Sequence, residues 1–414
     1  MRIAWFSPLP PTRSGIAAYS VELLPYLERR YTIETFDEGR AHDFVWTHRQ
    51  DPYDLAVYQL GNAPWHDYMW AYLAAYPGLV VLHDARLHHA RARQLLKARR
   101  ADDYRREFWH DHPDARRNAV EYAVEGMGGP IYYFWPMLRV VMQTARLVAV
   151  HNPRVAADLR LEYPDTEIAT IRMGVPAMAP SSDRAGVRQT LGIPEKAFVF
   201  AMFGKVTAEK RVNAIERAVA ALVAIGYDAH LLIVGERDSS TLLLSQLGPT
   251  RLANRVHLAG YVADEAIGPY LRAADACLCL RWPTALETSA SWLRCLAAAK
   301  PTVVTDLAHT ADVPDSVARR VDLLDEDRSL LETMRSLIAD APARAALARA
   351  GHEWWAAHHT MEGSAEDYRR AIDRAIARPA PAPGALPSHF REDYTALTRE
   401  IAGRFGLRLP TETA

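Results

Sequence analysis

Residues 277–306 read CLCLRWPTALETSASWLRCLAAAKPTVVTD, and this stretch decides the fold. The apolar runs at its two ends are typical of buried strands. Between them, four apolar residues recur at helical spacing: Trp292, Leu293, Leu296 and Ala297. Thr288 or Ser289 can cap the start of this helix, and Pro301 ends it. A strand, a helix and a strand within about 30 residues form a βαβ unit, whose two strands are parallel.

Glu287 stands just beyond the carboxyl end of the first of these strands, where the helix begins. Ligands of open α/β sheets bind at that edge, and the free N–H groups of a helix start attract anions. We therefore consider Glu287, Thr288 and Ser289 to be candidate ligand contacts. The alternative is that Glu287 only complements the helix dipole, which is worth about 0.3–1 kcal/mol.

The same stretch resembles the donor-binding signature of the retaining glycosyltransferases of family 4 (glycosyltransferase group 1), which have the GT-B fold. In that pattern a glutamate is followed two helical turns later by a second glutamate, then by small residues ending in Gly-X-Pro. Glu287 matches the first glutamate, and residues 297–301 are similar to the ending. The resemblance implies that Glu287 contacts hydroxyls of the donor sugar. In the family the second glutamate binds the ribose of the nucleotide. Here Arg294 stands in its place, one residue early, so the resemblance assigns no residue to the ribose.

A glycine turn with nearby cations follows a strand predicted at 198–203. Gly204 and Lys205 turn the chain, and Lys210 and Arg211 lead into a helix. A glycine lets the backbone approach a ligand, and cations offset the charge on a departing diphosphate. The family has Gly-Arg and a later lysine here, so the resemblance assigns the diphosphate to this segment. An exposed basic loop is the alternative.

Two further strands end in glycine turns, at 230–236 and 256–262. Both are similar to the next two strands of the family. The resemblance implies that Gly235 lies at the donor site and that the backbone at Tyr261 and Val262 contacts the nucleotide base.

The amino-terminal half shows the same alternation of strands and helices. A strand at 2–7 precedes PPTRSGIAAY, which resembles the family's loop facing the cleft and places Gly15 at the junction. His83 follows a strand predicted at 79–82, and the resemblance implies that it holds the donor sugar. A structural histidine bonded to the backbone is the alternative, and we expect Asp84 to orient His83 or a loop.

Basic side chains are concentrated between residues 86 and 106. The eight are Arg86, Arg91, Arg93, Lys97, Arg99, Arg100, Arg105 and Arg106, opposed by Asp102 and Asp103. One interpretation is a solvated helix face. The other is a surface for anionic lipid or a phosphorylated acceptor, which would make the protein peripheral at the inner membrane face.

Length and composition favour a globular protein of two domains. The chain has 414 residues, 49% of them hydrophobic and 24% charged, with a formal net charge of −1. This balance gives no argument for nucleic-acid binding. We predict an amino-terminal domain at 1–176, a linker at 177–194, a carboxyl-terminal domain at 195–378, and a proline-rich connector with a final helix at 379–414. That last part crosses back to the first domain or mediates assembly.

Cysteine usage and apolar runs bear on the compartment. Cys277, Cys279 and Cys295 offer no four-ligand metal pattern, so we interpret them as reduced core thiols. The strand at 2–7 is too short for a signal peptide, and no apolar run is long enough to span a bilayer. We therefore expect a cytoplasmic protein.

Together the motifs predict an α/β protein with two Rossmann-like, doubly wound domains that face a central cleft. The resemblance implies transfer of a hexosyl group from a nucleotide-diphosphate sugar to a sugar, lipid-linked or other hydroxyl acceptor, with retention, in polysaccharide or glycoconjugate synthesis. It implies no metal and no cofactor besides the nucleotide sugar as co-substrate. The alternatives are a sugar-nucleotide epimerase or hydrolase of the same fold, and a non-catalytic binding partner, which the arginine at position 294 favours.

Overall fold

The computed structural model describes residues 1–116, 118–178, 183–239, 241–244, 252, 254–382, 384–390 and 401–407. Within these residues it contains two six-stranded parallel sheets. The doubly wound architecture predicted from the sequence is therefore confirmed.

The first sheet is built from the amino-terminal half. Its strands are β1 Arg2–Phe6, β2 Thr32–Phe36, β3 Leu55–Leu60, β4 Leu79–Leu82, β5 Leu147–Val150 and β6 Ile168–Thr170. Their order is β2-β1-β3-β4-β5-β6. The helices between them are α1 Gly15–Leu27, α2 Ala41–Gln50, α3 Met69–Ala75, α4 His88–Lys97, α5 Ala101–Asp111, α6 Ala119–Val124, α7 Ile131–Phe134, α8 Arg139–Thr144 and α9 Pro153–Glu162. Strand β3 is buried along its whole length, as expected for a parallel strand covered on both faces.

The second sheet repeats this architecture. Its strands are β7 Phe198–Phe203, β8 Ala229–Val234, β9 Val256–Gly260, β10 Ala276–Cys279, β11 Thr302–Thr305 and β12 Arg319–Val321. Their order is β12-β11-β10-β7-β8-β9. The helices of this part are α10 Arg184–Thr190, α11 Val212–Ala224, α12 Ile267–Ala273, α13 Ala290–Ala297, α14 Glu326–Ala339, α15 Ala341–His358 and α16 Met361–Ala377.

The stretch that decided the prediction forms β10, α13 and β11. Cys277 pairs with Thr302 in parallel register, so the βαβ unit is confirmed. Ser289 caps α13, because its side chain accepts a hydrogen bond from the N–H of Trp292 (3.3 Å).

Helix α16 follows the second sheet along the chain but packs against the first. The Tyr368 hydroxyl donates to Gln59 Oε1 (3.0 Å), and Arg172 Nε donates to Asp367 Oδ2 (2.8 Å). The chain thus returns to the first half at Met361. The apolar face of α16 covers the first sheet, although the helix lies in the segment 195–378 that the sequence assigned to the carboxyl-terminal domain.

The segments on either side of the second domain are packed onto the two halves. The predicted linker at 177–194 contains α10, whose buried Arg188 donates to Asp275 Oδ2 (2.8 Å), while 179–182 lie outside the described residues. After the connector, His389 Nε2 lies 2.7 Å from Glu107 Oε1 of the first half. The final helix predicted within 379–414, at residues 392–402, lies mostly outside the described residues.

Ion pairs neutralise much of the basic segment at 86–106. Five of its arginines pair with carboxylates: Arg91 with Glu107, Arg93 with Asp67, Arg100 and Arg106 with Asp103, and Arg105 with Glu121. Lys97 and Arg99 are exposed. The excess charge that this segment presents to a surface is therefore smaller than the sequence suggests. Among the described residues, the structure has no helix with both the length and the apolar character needed to cross a bilayer.

Candidate active site

A cavity opens at the carboxyl ends of β7, β10 and β11, with about 760 Å³ of empty space when the part open to solvent is included. Its charged and polar lining includes Asn152, Lys210, Arg281, Glu287, Ser289 and His309. Asn152 comes from the first half and the others from the second. The cavity therefore lies at the junction of the two sheets, at the edge where ligands of parallel sheets bind.

Glu287 is held in the cavity by two neighbours. Its Oε2 accepts from the Thr284 hydroxyl (2.8 Å), and its Oε1 lies 2.8 Å from Arg281 Nε. Leu286, just before it, has a φ of +62°, which is rare for a side chain other than glycine. Such backbone outliers concentrate at functional sites, and this one turns the loop directly before Glu287.

Lys210 brings an amine to the same cavity. Its Nζ donates to the carbonyl of Phe203 at the end of β7 (2.5 Å). Burial lowers the pKa of Lys210 to about 7, and the nearby charge of Arg281 contributes. The amine is thus poised to gain its full charge when an anion enters.

Two glycines make room for this amine. Gly204 has a φ of +84°, and a Cβ there would stand 2.8 Å from Lys210 Nζ and 2.9 Å from Ser291 Oγ. A Cβ at Gly235 would stand 2.2 Å from the carbonyl oxygen of Gly204, so the turn after β8 can press against the turn after β7. The predicted glycine turns after β7 and β8 therefore pack against each other, and the turn after β7 lies beside the Lys210 amine.

The start of α13 supplies further hydrogen-bond donors. Thr288, Ser289 and Ser291 line the cavity, and the helix begins at Ala290. The positive end of the helix dipole favours negative charge at this position.

On the opposite side, the first half presents Asp84. Its Oδ2 accepts from the N–H of Asn62 (2.7 Å), and the next residue, Ala85, donates its N–H to the carbonyl of Ala285 in the second half (2.9 Å). Burial raises the pKa of Asp84 to about 7, with a smaller contribution from the charge of Glu287. Asp84 therefore holds the loop at Asn62 and lies close enough to Glu287 for the two carboxylates to interact.

His83 lies outside the cavity lining. It is buried, with Nε2 2.8 Å from Gln59 Oε1 and Nδ1 3.2 Å from His151 Nε2. Burial and the neighbouring His151 lower its pKa well below the ordinary value. These contacts make His83 a neutral member of a buried polar network at the carboxyl ends of β3, β4 and β5.

Two of the predicted cations also point away. Lys205 is exposed, with its Nζ 2.9 Å from Asp238 Oδ2. Arg211 pairs with Glu326, Nε to Oε1 at 2.8 Å. Of the four basic and glycine positions predicted to hold a diphosphate, only Lys210 lines the cavity, and Gly204 lies beside its amine.

The remaining predicted positions lie at the far side of the junction. Gly15 begins α1, behind its cap Ser14. The ring of Tyr261 is half-exposed and lies 4.6 Å from the guanidinium carbon of Arg13. Val262 packs against the core of the second half. Gly15 and Tyr261 therefore flank the place where the two halves meet, outside the cavity lining.

Arg294, which stands where the family pattern has a glutamate, is buried between the halves. Its Nη2 lies 2.7 Å from Glu22 Oε1 on α1 and 3.3 Å from Asp264 Oδ2. The guanidinium thus joins α13 of the second half to α1 of the first.

Sequence reasoning missed Arg281, Asn152 and His309. Asn152 Nδ2 donates to the carbonyl of His309 (2.7 Å), which joins the two rims of the cavity. Arg281 and Asn152 each come shortly after a buried strand, and that position was the signal that could have found them. Among the described residues, no group of three or more His, Cys, Asp or Glu side chains is placed to hold a metal ion.

A segment that contains most of the cavity lining matches a known family model. Residues 197–340 match the family model of glycosyl transferases group 1. This part of the chain is similar to that family. The matched range contains Lys210, Arg281 and Glu287, so most of the cavity lining lies within the matched segment. No protein with a curated description matches the chain by sequence.

Solved structures resemble about nine tenths of the chain. Sucrose-phosphate synthase from Thermosynechococcus elongatus is 16% identical, with a TM-score of 0.65 over 91% of this chain and 99% of that one. HepE from Anabaena, solved in complex with UDP, is 14% identical, with a TM-score of 0.62 over 90% and 100%. WaaG, a glycosyltransferase involved in lipopolysaccharide biosynthesis, is 14% identical, with a TM-score of 0.59 over 89% and 98%. These likenesses confirm the GT-B fold.

Proposed function

We propose that the protein is a retaining glycosyltransferase of family 4 that transfers a hexosyl group from a nucleotide-diphosphate sugar to an acceptor hydroxyl. The observation that carries the proposal is that Lys210 and Glu287 line one cavity at the carboxyl edge of the second sheet. An amine and a carboxylate in one cavity suit the two ends of such a donor, because the diphosphate is anionic and the sugar bears hydroxyl donors.

The diphosphate would lie between the Lys210 amine and the start of α13. Negative charge grows on the departing oxygen as the bond to the sugar breaks, so a cation and helix N–H groups stabilise the transition state more than the ground state. One ion contact near 4 Å is worth about 4 kcal/mol at an effective dielectric of 20, before desolvation is subtracted. The proposal assigns this role to protein groups rather than to a metal.

The sugar would lie at Glu287, whose two carboxylate oxygens are fixed by Thr284 and Arg281. A fixed carboxylate orients sugar hydroxyls without reorganising during the reaction. The proposal assigns no nucleophile to the protein. The acceptor attacks from the face that the diphosphate leaves, with retention of configuration, and the departing phosphate takes its proton.

UDP is the first nucleotide to test, because HepE was solved with UDP and with UDP-glucose. We expect the acceptor to be a sugar, a lipid-linked glycan or another hydroxyl compound, and the reaction to take place in the cytoplasm.

The test incubates the protein with a panel of nucleotide sugars and hydroxyl acceptors, with and without EDTA, and follows products by NMR. A glycoside with the anomeric configuration of the donor, formed equally with EDTA, supports the proposal. Free sugar or a new sugar isomer without glycoside would identify a hydrolase or an epimerase instead. Binding without any turnover would identify a non-catalytic partner.

A further inference from the structure

The three cysteines of the chain belong to one apolar cluster, and Cys279 also lines the cavity. Cys277 and Cys279 alternate along β10, so they face the same side of the sheet. Cys295 lies on α13 and packs with both in one apolar cluster. Burial, together with the thiols of Cys277 and Cys279 beside it, raises the pKa of Cys295.

Cys279 differs from the other two because it lines the cavity. Cys277 and Cys295 are fully buried, whereas Cys279 is partly exposed. Lys210 and Arg281 line the same cavity, so Cys279 shares it with two polar side chains that small polar molecules can reach. A small oxidant that enters the cavity therefore reaches Cys279 first, and the thiol of Cys295 lies beside Cys279.

We propose that Cys279 and Cys295 form a peroxide-sensitive thiol pair. In the first step the Cys279 sulfur attacks hydrogen peroxide, the O–O bond breaks, and a sulfenic acid and one water form. In the second step the Cys295 thiol attacks the sulfenic sulfur, an S–S bond forms, and a second water leaves. Two thiols are oxidised by two electrons in total, and one peroxide is reduced to two waters.

The bond would change the donor site. An S–S bond of about 2.05 Å fixes one face of α13 against the end of β10. The cap Ser289 and the first-turn residue Ser291 of α13 line the cavity, so a bond that shifts Cys295 also shifts groups that would face the diphosphate. This effect on the donor rests on the proposed function, whereas the formation of the bond does not.

The experiment exposes the full chain to hydrogen peroxide and maps its thiols by non-reducing peptide mass spectrometry. We expect a Cys279–Cys295 bond that dithiothreitol reverses, whose formation saturating UDP slows by about tenfold, and which weakens UDP binding by about tenfold. Cys277→Ala should still form the bond. Cys295→Ala should stop at a Cys279 sulfenic acid that dimedone traps, and mapping of the unchanged protein decides the question if that variant does not fold.

Three results would overturn the proposal: all thiols stay reduced, the bond joins Cys277 to Cys295, or the bond forms at the same rate with and without bound UDP. UDP binding by the reduced protein is measured first. A reduced protein that does not bind UDP would count against the donor site, and the thiol map would still decide which cysteines pair.

Discussion

Replacing Lys210 with methionine removes the cavity amine and keeps an apolar stem of similar length. In the free protein, burial lowers the pKa of Lys210 from 10.5 to about 7, which corresponds to about 5 kcal/mol against the charged form. A diphosphate near 4 Å returns about 4 kcal/mol to that form. Binding therefore raises the pKa again, and at pH 8 the mostly neutral amine should take up about 0.9 proton when the ligand arrives.

Calorimetric titration with UDP at pH 8, in two buffers of different ionisation enthalpy, measures this proton uptake. The terminal phosphate of UDP also titrates, with a pKa of about 6, but its contribution cancels between wild type and Lys210→Met. Because the charged amine binds the anion, wild-type affinity should fall by up to about tenfold per pH unit above pH 7. The affinity of Lys210→Met should be weaker at pH 7 and nearly independent of pH above it.

Lys300 is the matched control. It is also half-buried, burial lowers its pKa, and its Nζ donates to the carbonyl of Ala274 (2.8 Å), but it lies outside the cavity lining. Lys300→Met should keep the proton uptake of wild type. Equal uptake by wild type and Lys210→Met would refute the reasoning, because the proton would then enter at another group.

Three further predictions test the cavity and the junction of the two halves. Glu287→Gln should lower the transfer rate by about a hundredfold or more while UDP affinity changes little, and near-normal turnover would contradict its role at the sugar. Glu22→Gln should lower the free energy of unfolding by about 2 kcal/mol in denaturant titrations, because it leaves the buried guanidinium of Arg294 with one carboxylate. An unchanged midpoint would show that this ion pair contributes nothing. Gly204→Ala should weaken UDP binding by about tenfold because its methyl group crowds the cavity amine, whereas Gly192→Ala, also at positive φ but with open space around it, should cost stability alone.

The fold could be predicted because its signals are local. Apolar runs followed by capped helices recur along the chain, and in the stretch at 277–306 the cap Ser289 and the terminator Pro301 define the helix between two strands. The path of α16 could not be predicted in this way. Its apolar face is visible in the sequence, but only the assembled structure shows that the face covers the first sheet rather than the second.

The site was predicted in part, for a physical reason. Position beyond a strand end pointed to Glu287, and a glycine turn followed by a cation at the next helix pointed to Lys210; both side chains line the cavity. Long cations can leave that edge when a carboxylate outside competes for them, as Asp238 does for Lys205 and Glu326 for Arg211. Such partners lie far away in the sequence or have no pattern, so the choice between cavity and surface is made by tertiary contacts.

The central claim is that Lys210 and Glu287 hold the two ends of one nucleotide sugar. A crystal structure of the protein with the donor that the panel selects tests it most directly. We predict that a diphosphate oxygen lies within about 3 Å of Lys210 Nζ and that a sugar hydroxyl donates to Glu287. A nucleotide sugar bound elsewhere, with water alone between these two side chains, would contradict the account.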